Sequence, residues 1–203
     1  MSVNQFKAYE MKIGSRLAMY KALADEFDIQ SALYPGCHID ITPSQVIPQV
    51  TYVDNFRGTI KFFSKIEEVE RFIELSKTYA EKTSIRFLAA DYNDLDIEGL
   101  FDLIISQYAG FVGQSTKKYL KQGGILLCND SHGDATLAHC DDDYELIAVI
   151  NNNHVIDSSQ LDKYFRFKRQ RDVDLDKVKE TMKGPKYKYN AENYIYRLVA
   201  SGK

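Results

Sequence analysis

Apolar positions recur along this chain in two alternating rhythms. Over residues 15–27, Leu17, Tyr20, Leu23 and Phe27 fall at the spacing of one helix face. Residues 30–33 form a short apolar run that stops at Tyr34-Pro35-Gly36, a strand entering a turn. Thr42-Pro43 fits a helix start, with threonine as cap and proline in the first turn. A second strand is predicted over 50–53, with Asp54 at its end. Ser64-Lys65-Ile66-Glu67 fits a capping box; Ile66, Val69, Phe72, Ile73 and Tyr79 line one side of the helix it opens, as far as about Glu81.

Two more strands are predicted over 84–89 and 101–105, closed by Ala90-Asp91-Tyr92 and by Ser106-Gln107-Tyr108. A helix over 113–120, a turn at Gln122-Gly123-Gly124 and a fifth strand over 125–128 follow, the last closed by Asn129-Asp130-Ser131-His132. A sixth strand spans 144–150, before a polar turn at Asn151-Asn152-Asn153 and His154. Short helices are expected over 158–164 and, capped by Asp174, over 174–182; Gly184-Pro185 breaks the chain before a late strand over 194–199, at an edge of the sheet or as its seventh member.

Strands alternate with helices, and the strands are apolar on both faces. That argues an α/β architecture, a Rossmann-like three-layer domain with a mostly parallel sheet covered on both sides. The expected organisation is one domain over 1–203, with 1–28 an N-terminal helical segment and 165–203 a basic C-terminal extension that completes the sheet.

Composition narrows the class. With 203 residues, 44% hydrophobic and 27% charged, the chain can bury a sizeable core, which excludes global disorder. No apolar run of about 18 residues suggests a membrane span, and 3 cysteines are too few for a disulfide framework. Without a basic-then-apolar leader, the expectation is a cytoplasmic protein. The formal charge of −3 is unevenly spread: residues 163–203 carry 12 basic and 5 acidic residues, +7, which leaves −10 for the rest. Such an end can attract phosphate or nucleic acid, but Asp172, Asp174 and Asp176 interrupt it, the pattern of a solvated face.

In such sheets ligands bind beyond the carboxyl ends of the strands. Gly36 lets the backbone turn tightly there, and Asp54 stands 18 positions later, where an acid can accept from a ribose. Asp91 ends the third strand, and Ser106, Gln107 and Tyr108 the fourth. Asn129-Asp130-Ser131-His132-Gly133-Asp134 is the densest polar cluster. Histidine is the residue type suited to general-base work, so His132 is the candidate base, which Asp130 or Asp134 could orient; the same string also reads as an Asx turn and helix cap. The spacing of His132, Asp134, His139, Cys140 and Asp141 to Asp143 matches no tight zinc site, and Asn129 with Asp130 offers too few oxygen ligands for a hard cation such as magnesium, so no metal is expected.

The chain resembles the class I S-adenosylmethionine-dependent methyltransferases over residues 31–164. It is similar to a bacterial branch carrying Ala32-Leu33-Tyr34-Pro35-Gly36, Ile41-Thr42-Pro43-Ser44, Thr51-Tyr52-Val53-Asp54, Tyr108-Ala109-Gly110-Phe111 and the cluster from Asn129 to Asp134. The resemblance implies a seven-stranded sheet whose last strand is antiparallel, with S-adenosylmethionine as cofactor. It places Gly36 at the methionine end, Asp54 on the ribose hydroxyls, Asp91 on the adenine and Ser106, Gln107 and Tyr108 at the sulfonium, with the neighbouring Tyr34, Pro35, Asn55 and Tyr92 as further cofactor-binding candidates. His132 and Asp130 of the polar cluster are then the catalytic candidates, and the expected acceptor is a small or peptide-like molecule.

The family's first motif has an acid in the strand and three glycines around the turn. Here Leu33 or Tyr34 stands near the acid position, and His38 and Asp40 replace the later glycines; Asp40 is then the candidate for the methionine amine. That altered turn also admits a non-catalytic nucleoside-binding or protein-interaction descendant. Nucleic-acid modification ranks lower, because Ser106-Gln107-Tyr108-Ala109 stands where the amino-group modifiers carry Asn/Asp-Pro-Pro-Tyr/Phe. A nicotinamide dehydrogenase lacks its Gly-x-Gly-x-x-Gly fingerprint.

Overall fold

Three short strands open the architecture, the second of them rich in β-branched and aromatic residues. In the computed structural model, which describes residues 2–151 and 155–199, β1 (Ser31–Pro35), β2 (Gln49–Val53) and β3 (Ser84–Leu88) pair in parallel in the order β3-β2-β1. They belong to the first of two compact units, Met1–Glu98; the second is Gly99–Lys203. Asn152, Asn153 and His154 of the expected polar turn lie outside the described residues.

The register decides where the loops go. Pro35 lies opposite Val53, and Val53 opposite Leu88, so the three strands end level. Around them stand α1 (Ser2–Ile13), α2 (Leu17–Phe27), α3 (Arg57–Phe63) and α4 (Ile66–Ser76). The α2 periodicity is realised: Tyr20 and Leu23 are fully buried. Tyr34, Tyr52, Phe63 and Phe87 form a run of ring contacts with centroids 6.1, 5.2 and 4.4 Å apart in turn.

Three local expectations fail here. Thr42–Gln45 is a single 3₁₀ turn, because Pro48 and β2 follow at once. Ser64 is not the cap of α4: its hydroxyl donates to the Lys61 carbonyl at 2.8 Å and closes α3, a helix the apolar pattern did not announce. Tyr79 lies beyond α4 and donates its hydroxyl to the Ser44 carbonyl at 2.9 Å.

The second unit holds β4 (Phe101–Ser106), β5 (Leu120–Cys128), β6 (Tyr144–Ile150), the two-residue β7 (Ile156–Asp157) and β8 (Asn193–Leu198) in the order β4-β5-β8-β6-β7. β4 and β5 are parallel, whereas β8 runs antiparallel to both β5 and β6, and β7 antiparallel to β6. The expected seven-stranded, mostly parallel sheet is therefore corrected to eight mixed strands. The late strand is antiparallel, as expected, but it is inserted between two neighbours rather than left at an edge. Tyr194, Ile195 and Tyr196 are each 0% exposed there, and burying side chains of that size contributes at most about 3 kcal/mol apiece.

Helices α5 (Val112–Thr116), α6 (Asp134–His139) and α7 (Leu175–Thr181) complete this unit. Asp174 caps α7 as anticipated, accepting the Lys177 N–H at 3.0 Å. The helix expected over 158–164 shrinks to a 3₁₀ turn at Leu161–Lys163. Among the described residues, no helix is long and apolar enough to cross a membrane.

Candidate functional site

In the first unit, the level strand ends bring three loops to one edge. Gly36 leaves β1 at φ +63°, the left-handed region that glycine enters without strain, and its N–H donates to the Val53 carbonyl at 2.8 Å. His38 holds φ +49° with a side chain, a conformation stabilised from outside. The stabilising contact is Asp54: its Oδ2 accepts the His38 N–H at 2.8 Å and its Oδ1 the Phe56 N–H at 2.7 Å. A carboxylate offers about four acceptor positions, so each oxygen keeps capacity for another donor.

Asn55 joins this loop to the next, donating to Asp91 Oδ2 at 3.2 Å. Asp91 Oδ1 accepts the N–H and the side-chain amide of Asn93, both at 2.9 Å. Asp54 and Asp91 are both half-buried rather than turned wholly into solvent, and Tyr92 follows, also half-buried. The His38 ring lies against Tyr9 of α1 (centroids 4.8 Å) and stacks on Phe56 (6.0 Å), while its buried Nδ1 has no hydrogen-bond partner.

Asp40 is placed otherwise than the amine-binding expectation needs. It is 1% exposed, paired with Arg16 at 2.8 Å, and its Oδ2 also accepts from Tyr34 (3.2 Å) and Tyr20 (3.4 Å). Its Oδ1 accepts the Thr42 N–H at 3.2 Å. Burial raises both phenol pKa values, with Asp40 adding to the effect, so both tyrosines stay protonated donors. Tyr34 is thus a buried strut of the loop, as Pro35 is the buried last residue of β1. Tyr9, Arg16 and Phe56 were not singled out from sequence, because nothing in their spacing marks them.

In the second unit, β4 and β5 end together, Ser106 opposite Cys128, with Tyr194 of β8 across from Cys128. From this edge runs a chain of side-chain hydrogen bonds. Gln107 donates to Asn193 Oδ1 at 2.6 Å, Asn129 donates to Gln107 Oε1 at 3.3 Å, and Ser131 Oγ meets Asn129 Oδ1 at 2.6 Å and His132 Nδ1 at 3.0 Å. An amide oxygen only accepts, so the single Ser131 proton goes to Asn129. Ser131 must then accept at His132, which puts the imidazole proton on Nδ1 and a lone pair on Nε2.

The two aspartates do not orient His132. Asp130 accepts the Thr136 N–H and hydroxyl at 2.8 and 2.9 Å, and burial raises its pKa to about 6. Asp134 accepts the Ser106 hydroxyl at 2.6 Å and the Gly113 N–H at 3.0 Å, and burial lifts it to about 7. Ser106 is thereby turned to a structural bond, whereas Tyr108 is 61% exposed at φ +58°. Among the described residues, no group of three metal-ligating side chains gathers.

No protein-family model and no curated protein matches this chain. Solved structures do. An S-adenosylmethionine-dependent methyltransferase from Clostridium acetobutylicum ATCC 824 aligns over 98% of this chain and 99% of its own, with TM-score 0.53 and 12% identity. Residues 961–1257 of the StiE O-methyltransferase align over 93% of this chain and 74% of theirs, with TM-score 0.54 and 10% identity. The fold is that of the methyltransferases. The α/β expectation therefore holds at the level of architecture, with the strand count and direction corrected above.

Proposed function

We propose that this protein transfers a methyl group from S-adenosylmethionine to a small-molecule or peptide-like acceptor. The observation that carries the reading is Asp54 at the end of β2, holding the loop amides of His38 and Phe56 with acceptor capacity left on both oxygens. Two vicinal ribose hydroxyls match that capacity, and the Asn55–Asp91 pair supplies acceptor and donor atoms for an adenine edge. The fold shared with a protein described as an S-adenosylmethionine-dependent methyltransferase supports the same cofactor.

When bound, S-adenosylmethionine supplies a methyl group activated by its sulfonium. Asp54 would hold the ribose and Asp91 the adenine, and Gly36 would let the backbone pass close to the ligand. His132, with its lone pair on Nε2, would be the group to accept a proton from the acceptor's nucleophile. Ser131 positions that ring, and Asp130 acts through Thr136 on the shape of the loop rather than on the proton.

A second reading is a nucleoside-binding protein without methyl transfer. It is favoured by His38, whose ring stands where the family has glycine and is packed between Tyr9 and Phe56. Calorimetric titration with S-adenosylmethionine and S-adenosylhomocysteine tests the first step of both. Micromolar binding lost in Asp54→Ala supports a nucleoside site, and turnover of the bound methyl donor then selects the first reading. Absence of binding by either compound overturns the first reading and leaves the second.

A further inference from the structure

Part of the basic excess of residues 163–203 is gathered round one cavity of the second unit. The cavity, of about 720 Å³, is walled by Phe167, Tyr187 and four cations, Lys168, Arg169, Arg171 and Lys186. No aspartate or glutamate lines it, so its wall carries +4. The volume is that of a small-molecule site.

The wall is anchored. Tyr187 is 5% exposed, and its hydroxyl lies 3.1 Å from Thr136 Oγ1, itself bonded to Asp130. Phe167 packs on Tyr187 with centroids 4.8 Å apart, and the Arg171 guanidinium covers the Phe167 ring at 4.1 Å. Arg171 is thus held in place by an aromatic face rather than by a carboxylate. Among the described residues, Lys168, Arg169 and Lys186 form no ion pair, whereas Arg166, in the same segment, pairs with Asp162 at 2.6 Å. An adjoining cavity of about 620 Å³ shares Phe167, Arg171 and Lys186 and contains Asp172 and Asp174, so the acids lie on that side.

Four like charges around one concavity repel each other, and a multiply charged anion relieves that repulsion. Arginine forks match the oxygens of phosphate, and lysines add point charges. We propose that this cavity binds a phosphate-bearing small molecule, a diphosphate or a phosphate monoester. Phe167 already carries the Arg171 guanidinium over its ring and packs against Tyr187, so it is less open to stacking a base, which favours a small phosphate ester over single-stranded nucleic acid. The site is independent of the methyl-transfer reading.

The test is calorimetric titration of the full chain with pyrophosphate, with citrate and with a single-stranded oligonucleotide, all without S-adenosylmethionine. Pyrophosphate is expected to bind, and its affinity to fall about tenfold or more in Arg169→Gln and in Lys186→Gln. Both side chains are exposed, so neither change threatens the fold. Lys12→Gln, an exposed lysine of α1, is expected to leave the affinity unchanged. The proposal is overturned by no pyrophosphate binding at millimolar concentration, by equal loss in Lys12→Gln, or by citrate binding as tightly. Oligonucleotide binding without pyrophosphate binding overturns it in favour of a nucleic-acid surface.

Discussion

Arg16 and Asp40 form an ion pair of 2.8 Å at the mouth of the β1 loop, with side chains 17% and 1% exposed. Tyr20 and Tyr34 complete the cage around the carboxylate. Asp40 is turned inward and holds the loop to Tyr20 of α2 and to Arg16, which precedes that helix. Removing one partner of a buried pair leaves the other uncompensated, at a cost of about 3–5 kcal/mol. Asp40→Ala is therefore expected to lower the urea midpoint strongly. Tyr20→Phe, which loses a 3.4 Å bond, is expected to cost about 1 kcal/mol or less. An unchanged midpoint in Asp40→Ala contradicts the structural role.

Asp134 makes stability depend on pH in an unusual direction. Its pKa rises from 3.8 to about 7 in the folded chain, by burial that outweighs the bonds from Ser106 and Gly113. The folded state therefore binds more protons than the unfolded state between about pH 4 and 7, and the Asp134 contribution falls as pH rises through that window. At about 1.4 kcal/mol per pH unit, the swing is on the order of 4 kcal/mol. Other carboxylates add slopes of their own, so the readout is the difference between wild type and Asp134→Asn in urea unfolding across that range. The difference should shrink toward pH 7; a constant difference contradicts the assignment.

The tautomer of His132 can be read without a substrate. Because Ser131 gives its proton to Asn129 and accepts at Nδ1, ¹⁵N spectra of neutral His132 should show the proton on Nδ1. Ser131→Ala should release that preference and populate the Nε2–H form. An Nε2–H majority in the wild type contradicts the proposed base.

Much of this architecture was legible in the sequence, for physical reasons that also explain the misses. Strands that are apolar on both faces announce themselves, and Tyr20 with Leu23 marks the buried side of α2 at helical spacing. Asp54 follows the last residue of β2 directly, whereas Asp91 stands three positions past β3 and caps a 3₁₀ turn. Helix α3 escaped because Gly58 and a length of 7 residues leave little periodicity to detect. The insertion of β8 between β5 and β6 is a long-range pairing that no local window carries. The same limit hid the partners of the polar cluster. Asp134 finds Ser106, and Gln107 finds Asn193 across 86 positions, so the aspartates expected to orient His132 were engaged elsewhere.

Methyl transfer by this protein requires that Asp54 accept from a ribose. S-adenosylhomocysteine and its 2′,3′-dideoxy analogue differ only in the hydroxyls concerned, and hydrogen bonds to a charged acceptor are worth about 1.5–3 kcal/mol. Calorimetry on the wild type should show the natural compound bound at least about tenfold more tightly, with the preference abolished in Asp54→Asn. Equal affinity for the two compounds in the wild type, or a preference that survives in Asp54→Asn, would contradict it.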